Sequence, residues 1–393
     1  MAMHPAKRLA DPGSSTVVTL FQDLSVASRW RLGPARSAPY NSAASRQSLR
    51  TDAVLLSDRI QVIRGLAVTL LVTFHATVTD LDTAVNSAGL QAMVFITHVF
   101  DYIRMPLFGF LAGFVYALKP ISRATYREFA SRKVTRLMVP CVIATTLMFA
   151  MQTVGHTGDV ARLPLQQAWR IYLYPTYQFW FIQALLVDFA VIALLEALGA
   201  LSTVGRLVVV LVATIVALLW LPAPPTALFS MPQAEYLLPF LLLGLGVSRF
   251  RAQLLTGGVV SASLALLFGG LAIHTASIAL DPAYRLDRGS LLGMAIGCSA
   301  GVCAIACMPR IQWLRVLGGY SFAIFLYHVL FIDVAAHLCK QADFRSALSL
   351  GMVLLGVGLA GVPCFCTTQS AGTACCVRSC WVCADASERR TSP

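Results

Sequence analysis

The chain of 393 residues is 57% hydrophobic and only 12% charged, with a formal net charge of +12 and a mean hydropathy of +0.72. Soluble domains carry roughly 25% charged residues, so the composition excludes an ordinary soluble protein and indicates a polytopic membrane protein. The positive charge does not indicate nucleic-acid binding, because the basic residues gather at the N-terminus and in a few short loops, as membrane topology requires. We expect a lipid bilayer as its surroundings and no nucleic acid as a partner.

Residues 1–55 form the first distinct segment, which is rich in Ser, Ala and Arg and has no sustained apolar run. We predict that this segment is a disordered basic tail on the cytoplasmic side. It does not resemble a signal peptide, because no apolar core follows the first charges.

Apolar runs then recur from residue 56 to residue 362. They predict one all-α domain, a polytopic bundle of about ten transmembrane helices. Several runs are short, so one span fewer or one more stays open. The predicted spans are 62–79, 93–118, 137–154, 179–198, 206–221, 235–249, 256–274, 289–307, 314–336 and 346–362.

The orientation follows from the 30 Lys and Arg residues. If the N-terminus is cytoplasmic, most of these residues fall on the inner side, including the basic loop between the second and third spans. Cytoplasmic loops of membrane proteins carry this excess, so we predict a cytoplasmic N-terminus.

The first predicted span, 62–79, contains two ionisable residues, both within the stretch RIQVIRGLAVTLLVTFH, residues 59–75. Arg64 and His75 lie just over three helical turns apart, on one face and about 16 Å from each other. One interpretation is a polar tunnel, in which the arginine holds an anionic group and the histidine exchanges a proton. The alternative is that Arg64 snorkels to the interface and His75 makes a packed helix contact.

Five stretches, in this order, resemble the acyltransferase 3 family of integral membrane acyltransferases. They are RGLAVTLLVTFH (64–75), RMPLFGFLAGF (104–114), RKVTRLMVP (132–140), FWFIQALL (179–186) and GGYSFAIFLYH (318–328). Each is weak alone, but five in order on one frame of spans are specific. Two departures are Gln61, where the family often has Asp, and Ala112, where it often has Ser.

The resemblance covers about residues 59–360 and implies the function of the 56–362 domain. Family members transfer acyl groups, most often acetyl from acetyl-CoA, to sugars of surface or secreted glycans and related acceptors. It implies an acetyl-CoA-dependent O-acyltransferase of exopolysaccharide biosynthesis, in a bacterial inner membrane and without a bound cofactor. The partners would be acyl-CoA and a glycan or lipid-linked sugar, with His75 as the catalytic histidine and Arg64 as its basic partner.

The chemistry of acyl transfer assigns roles to these residues. A base must take the proton of the sugar hydroxyl, and histidine is the usual one, so we expect His75 to be the general base. Arginine binds phosphate with a rigid charged fork, so Arg64 and the basic loop would hold the phosphates of CoA. The loop residues are Arg132, Lys133 and Arg136, whose alternative role is positive-inside anchoring of the helices.

A second polar cluster lies at the outer start of the second predicted span. His98, Asp101 and Arg104 are spaced by three residues, which places them on roughly one helix face. They can orient the acceptor sugar or tune His75. The alternative is an interfacial pair of Asp101 with Arg104 that contributes little.

Two further residues belong to the predicted supporting set. His328 ends the late motif, where family members often keep a histidine, and we expect it near the site. Trp180 lies in the fourth span, where it can stack on a sugar or form part of the interfacial aromatic belt.

The last segment, residues 363–393, is rich in cysteine and falls outside the resemblance. The pattern CC-x3-C-x2-C can bind zinc, but no histidine joins it and its spacings fit no common finger. We therefore predict a divergent C-terminal tail and no metal. The six cysteines are Cys364, Cys366, Cys375, Cys376, Cys380 and Cys383.

A multi-pass transporter of a small anionic or glycan-related solute remains the alternative function. Transporters also place ionisable residues inside the membrane. They are expected to contain internal repeats, which the sequence does not show by eye.

Overall fold

The computed structural model describes residues 43–78, 88–118, 126–155, 163–281, 284, 287, 289–341 and 355–361. All regular elements in these ranges are helical. The predicted bundle of membrane helices is thereby confirmed as an all-α fold. Most of the predicted N-terminal tail and all of the cysteine-rich tail lie outside the described residues.

The described residues form twelve α-helices, and residues 355–361 add a further helical segment. The helices are α1 Ala43–Val78, α2 Ala88–Val99, α3 Asp101–Leu118, α4 Tyr126–Gly155, α5 Arg170–Leu173, α6 Trp180–Ala197, α7 Val204–Trp220, α8 Met231–Arg249, α9 Arg251–Leu254, α10 Gly257–Leu280, α11 Leu291–Cys307 and α12 Gln312–Gln341.

The described part of the chain contains 6 helical stretches that are long and apolar enough to cross a membrane, and two shorter apolar helices, α7 and α11. Two elements differ from the predicted spans. Helix α1 begins at Ala43, inside the predicted tail, because the residues before the apolar run are good helix formers without Pro or Gly. The second predicted span, 93–118, is divided at Phe100 into α2 and α3.

Side-chain caps fix the start of three of the membrane helices. Thr203 accepts a hydrogen bond from the backbone N–H of Arg206 at the start of α7. Thr256 and Ser290 cap α10 and α11 in the same way. Each cap satisfies one of the backbone donors that the first turn leaves unpaired, so these helices begin where short loops end.

Helix α3 lies in the middle of the bundle, since 12 of its 18 residues are buried. Its backbone packs directly against the backbone of α8. A Cβ atom added to Gly113 would lie only 1.9 Å from the carbonyl oxygen of Leu241. A Cβ added to Gly244 would lie 1.9 Å from the oxygen of Phe110. The two glycines therefore let α3 and α8 cross in direct backbone contact, as small residues do in membrane bundles.

One end of the bundle is held together by a charged cluster. Tyr116 at the end of α3 donates to Glu196 at 3.1 Å, and Arg249 at the end of α8 pairs with the other oxygen of Glu196. Arg249 also donates to the carbonyl of Leu201 at 3.2 Å. The C-termini of α3, α6 and α8 therefore lie at the same end, which we call the basic end. These three helices run antiparallel to α7, which begins there.

The helices at the periphery turn large apolar side chains outward. Helices α4, α7 and α10 all carry exposed Val, Leu, Ile or Phe residues along most of their length. Such faces are typical of helices that contact lipid rather than water. Examples are Val139, Ile143, Leu147, Val209, Val212, Leu266, Phe268 and Ile273.

Candidate functional site

The site is built where the first and last long helices run side by side. A Cβ atom added to Gly65 of α1 would lie 2.0 Å from the oxygen of Leu314, and one added to Gly318 of α12 would lie 1.9 Å from the oxygen of Gln61. Ten to fourteen residues further along both helices, His75 meets His328. The crossing involves residues 61–65 of α1 and 314–318 of α12, and both helices reach the histidine contact at higher residue numbers, so α1 and α12 run parallel.

The two histidines form the centre of the site, which we call the histidine pair. Their ring centroids are 5.0 Å apart and the ring planes are inclined by 59°. The His328 side chain is fully buried, and its Nδ1 lies 2.8 Å from the carbonyl oxygen of Ile324 and 2.9 Å from that of Phe325. The structure thus brings together two residues of the predicted site that are far apart in sequence.

An ion pair between buried Arg104 and partly exposed Asp101 lies beside the histidine pair. Arg104, with 5% of its surface exposed, contacts the Asp101 carboxylate at 2.5 Å. Its guanidinium also lies 3.5 Å from the centre of the Phe74 ring, and that ring meets His75 edge-on with centroids 5.1 Å apart. The predicted pairing of Asp101 with Arg104 is present. Its arginine is buried and its aspartate is partly exposed, and it lies one aromatic ring away from His75.

The break between α2 and α3 sets the position of this ion pair. Pro106 removes a donor from the second turn of α3, and the Ile103 and Arg104 N–H groups both point to the Phe100 carbonyl. The carbonyl of His98 is instead paired with Nε2 of His274 on α10, at 3.0 Å. Since a carbonyl only accepts, His274 carries its hydrogen on Nε2. His98 therefore acts through its backbone here.

His274 is a residue that the sequence motifs did not indicate. It is 2% exposed, it meets the Tyr102 ring edge-on at 4.9 Å, and the Tyr284 ring lies 6.1 Å away. Its Nδ1 is buried without a hydrogen-bond partner among the described residues. A histidine inside an apolar span is a signal in itself, but its partner lies 176 residues away and is visible only in the fold.

Replacing His274 by leucine is expected to lower stability by about 1–3 kcal/mol, because the partly buried carbonyl of His98 loses its donor. His274→Gln retains an N–H donor and should lose less. Ser277→Ala, on the same helix, is the matched control, since the Ser277 hydroxyl donates to the carbonyl of Ile273 within its own helix. The thermal midpoint in detergent measures the effect, and a leucine variant as stable as the wild type would contradict it.

An aromatic cluster closes the site toward the middle of the bundle. Phe181 of α6 lies 5.7 Å from Phe108 of α3 and 5.5 Å from Phe325 of α12, between ring centroids. Phe325 is one turn before His328, and Phe108 is one turn after Arg104. Trp180 meets Phe181 edge-on at 6.0 Å, so it packs against this cluster as well as lying at the start of α6.

Two buried glutamines form hydrogen bonds around the loop that precedes α6. Gln178 donates to the carbonyl of Leu326 on α12 at 3.2 Å. Gln183 donates to the carbonyl of Tyr172 at 2.9 Å and accepts from Ser230 at 2.6 Å. The Gln178 bond holds the loop to α12 close to His328, and the Gln183 bonds hold α6 to the segments around Tyr172 and Ser230. The motif FWFIQALL contains Gln183, but nothing in the motif distinguishes Gln183 from its neighbours.

The free space next to Arg104 is small. A crevice of about 10 Å³ lies between α1, α2 and α3, with room for about one water molecule. Its lining is formed by Leu70, Thr73, Ile96, Thr97, Phe100 and Arg104. An acyl group or a sugar can enter here only if the surrounding side chains move.

The predicted donor-side residues lie apart from the histidine pair. Arg64 is partly buried on α1, about 16 Å from His75 by helix rise. No carboxylate of the described residues forms an ion pair with it. Arg136 is exposed on α4, and the side chains of Arg132 and Lys133 lie outside the description. No group of three metal-ligating side chains occurs in the described part of the chain.

Comparison with known proteins identifies the family. Residues 57–368 match the model of the acyltransferase 3 family, described as an acyltransferase domain. No curated protein and no solved structure matches the chain. The match covers most of the sequence and agrees with the motifs, which confirms the resemblance and gives no support to a transporter. The chain is therefore a multi-pass membrane protein that belongs to the acyltransferase 3 family.

Proposed function

We propose that this protein transfers an acetyl group from cytoplasmic acetyl-CoA to a hydroxyl of an exopolysaccharide or another surface or lipid-linked glycan. The contact between His75 and His328, inside a membrane bundle of an acyltransferase family, is the observation that carries the proposal. A buried imidazole is a suitable base for a hydroxyl, and its place within the bundle protects the reacting thioester from water.

His75 is the general base in this proposal. The acceptor hydroxyl gives its proton to His75 while its oxygen attacks the carbonyl carbon of the thioester. Arg104, paired with Asp101 and stacked on Phe74, would stabilise the negative charge that develops on the carbonyl oxygen of the thioester. His98, Trp180 and His328 support the acceptor side.

Arg64 is assigned to the donor. A partly buried guanidinium without a carboxylate partner among the described residues is costly unless an anion offsets its charge. The phosphates of CoA supply such an anion, and the pantetheine arm separates them from the thioester. The 16 Å or so between Arg64 and His75 then corresponds to the distance between the phosphates and the reacting carbon. Arg132, Lys133 and Arg136 on α4 would extend the phosphate site.

The same proposal sets the location. Acyl-CoA is cytoplasmic, and most Lys and Arg residues fall on the side of the N-terminus, so the basic end faces the cytoplasm and the histidine pair lies nearer the outer surface. A bacterial inner membrane satisfies both requirements. A glycan acceptor on the outer side then meets the histidine pair from that side.

The decisive experiment is the acetyl content of the host's extracellular polysaccharide. Deletion of the gene is expected to remove the acetyl groups, and the wild-type chain to restore them. Complementation with Arg64→Ala or His75→Ala should fail although the protein is present in the membrane. Acetylation that survives deletion would refute the glycan assignment.

A further inference from the structure

The hydrogen bonds of His328 determine which of its ring nitrogens carries a hydrogen. Nδ1 lies within 2.8 and 2.9 Å of the carbonyl oxygens of Ile324 and Phe325. Carbonyl oxygens only accept, so Nδ1 is the donor and, in the neutral ring, Nε2 holds a lone pair. Nε2 is buried and has no hydrogen-bond partner among the described residues. An unsatisfied acceptor in an apolar bundle is costly and requires an explanation.

His75 is a polar side chain whose ring packs against that of His328. A ring nitrogen lies about 1.1 Å from its ring centre, so an N–H···N bond of about 3 Å places two imidazole centres about 5 Å apart. The observed separation of 5.0 Å matches this value. The terminal torsion of histidine is soft, so a rotation of the His75 ring can direct an N–H toward Nε2 of His328.

We propose that His328 is the positioning residue for His75, whose N–H it accepts through Nε2. This hydrogen bond fixes the His75 tautomer and leaves the other nitrogen of His75 as the lone pair that takes the acceptor's proton. The inference rests on the proposed acyl transfer. His328 fills the place that a carboxylate has in Ser-His-Asp enzymes, without burying another negative charge in the membrane.

The complete step balances with acyl-CoA and the acceptor alcohol as the only reactants. The hydroxyl proton moves to His75, and the hydroxyl oxygen forms a bond to the thioester carbon. The carbon–sulfur bond then breaks, and His75 returns the proton to the thiolate sulfur. The products are the ester and the free thiol of CoA. His328 keeps its own hydrogen throughout and stabilises the transient His75 imidazolium.

Two substitutions separate this role from a purely structural one. In His328→Gln the amide reaches the position of Nε2, whereas in His328→Asn it occupies the position of Nδ1 and can still donate to the backbone. A structural residue would tolerate Asn better, since among the described residues His328 donates only to the carbonyls of Ile324 and Phe325. A positioning residue would tolerate Gln better.

The test uses inverted vesicles from the deletion host that carry each variant of the full chain. Transfer of radiolabelled acetyl from acetyl-CoA to the vesicle glycan gives kcat and KM. We expect His328→Asn to lose about 100-fold in kcat with little change in KM for acetyl-CoA, and His328→Gln to lose less than about 10-fold. An Asn variant as active as the Gln variant, or more active, would overturn the inference.

The double variant His75→Ala, His328→Asn provides a second measurement that does not depend on either single variant alone. Residues that act as a unit are not additive, so the double variant should be as slow as His75→Ala. Additive losses would overturn the inference while the function stands. If His75→Ala itself transfers acetyl normally, the proposed function fails instead.

Discussion

Replacing His75 by alanine is expected to slow acyl transfer by about 10²- to 10⁴-fold, which is the usual contribution of a general base. The loss should fall on kcat, because in the proposed arrangement Arg64 holds the donor about 16 Å away. Radiolabelled acetyl transfer in inverted vesicles measures both constants. The amount of His75→Ala protein in the membrane should be unchanged, since α1 retains its apolar surface.

His337→Ala is the matched control for this substitution. His337 is an exposed histidine on α12, more than two turns beyond His328. Its replacement should leave kcat and KM at wild-type values. A His75→Ala protein that is as active as this control would exclude His75 as the base. A loss shared equally by both variants would point to a general loss of folded protein.

The architecture could be predicted because its signals are local. Most of the membrane helices are encoded by a run of about 20 apolar residues, and each family motif is one short continuous stretch of sequence. The spacing of Arg64 and His75 on one helix face also follows from helix geometry alone. The sequence therefore sufficed for the fold class, for the family and for the residues at which to look for chemistry.

The rest depends on contacts between distant segments. The helix is divided at Phe100 because Pro106 lies nearby and because His274, on another helix, forms a hydrogen bond to the carbonyl of His98. A window of sequence contains the proline but not the histidine. The burial of Asp188 could not be predicted for the same reason. This residue of α6 is 1% exposed, and one of its carboxylate oxygens has no hydrogen-bond partner among the described residues.

The parallel contact of α1 and α12 also could not be predicted from the sequence. GGYSFAIFLYH contains two adjacent glycines, and no pattern indicates which of them meets α1. In the structure Gly318 is buried against Gln61, whereas Gly319 has no atom within 4 Å of the position of an added Cβ. These neighbours therefore offer an internal comparison of a packed and an unpacked glycine in one helix.

Gly318→Ala is expected to lower stability by about 1–3 kcal/mol, because the added methyl group overpacks the helix crossing. Its Cβ would lie 1.9 Å from the Gln61 carbonyl oxygen, a backbone atom that cannot rotate away. The helices must separate at the crossing. His75 and His328 lie about 15 Å further along the same two helices, so their contact loosens as well. Both the thermal midpoint in detergent and the rate of acetyl transfer should fall.

Gly319→Ala separates this packing effect from the intrinsic preference of the helix. Alanine is favoured over glycine in a helix by about 0.5–1 kcal/mol, and at Gly319 nothing opposes that gain. Its thermal midpoint should therefore match or exceed that of the wild type, with full activity. Opposite shifts at two adjacent glycines would show that the backbone contact between α1 and α12 aligns the histidine pair. Equal midpoints for the two variants would show that the helices do not meet at Gly318.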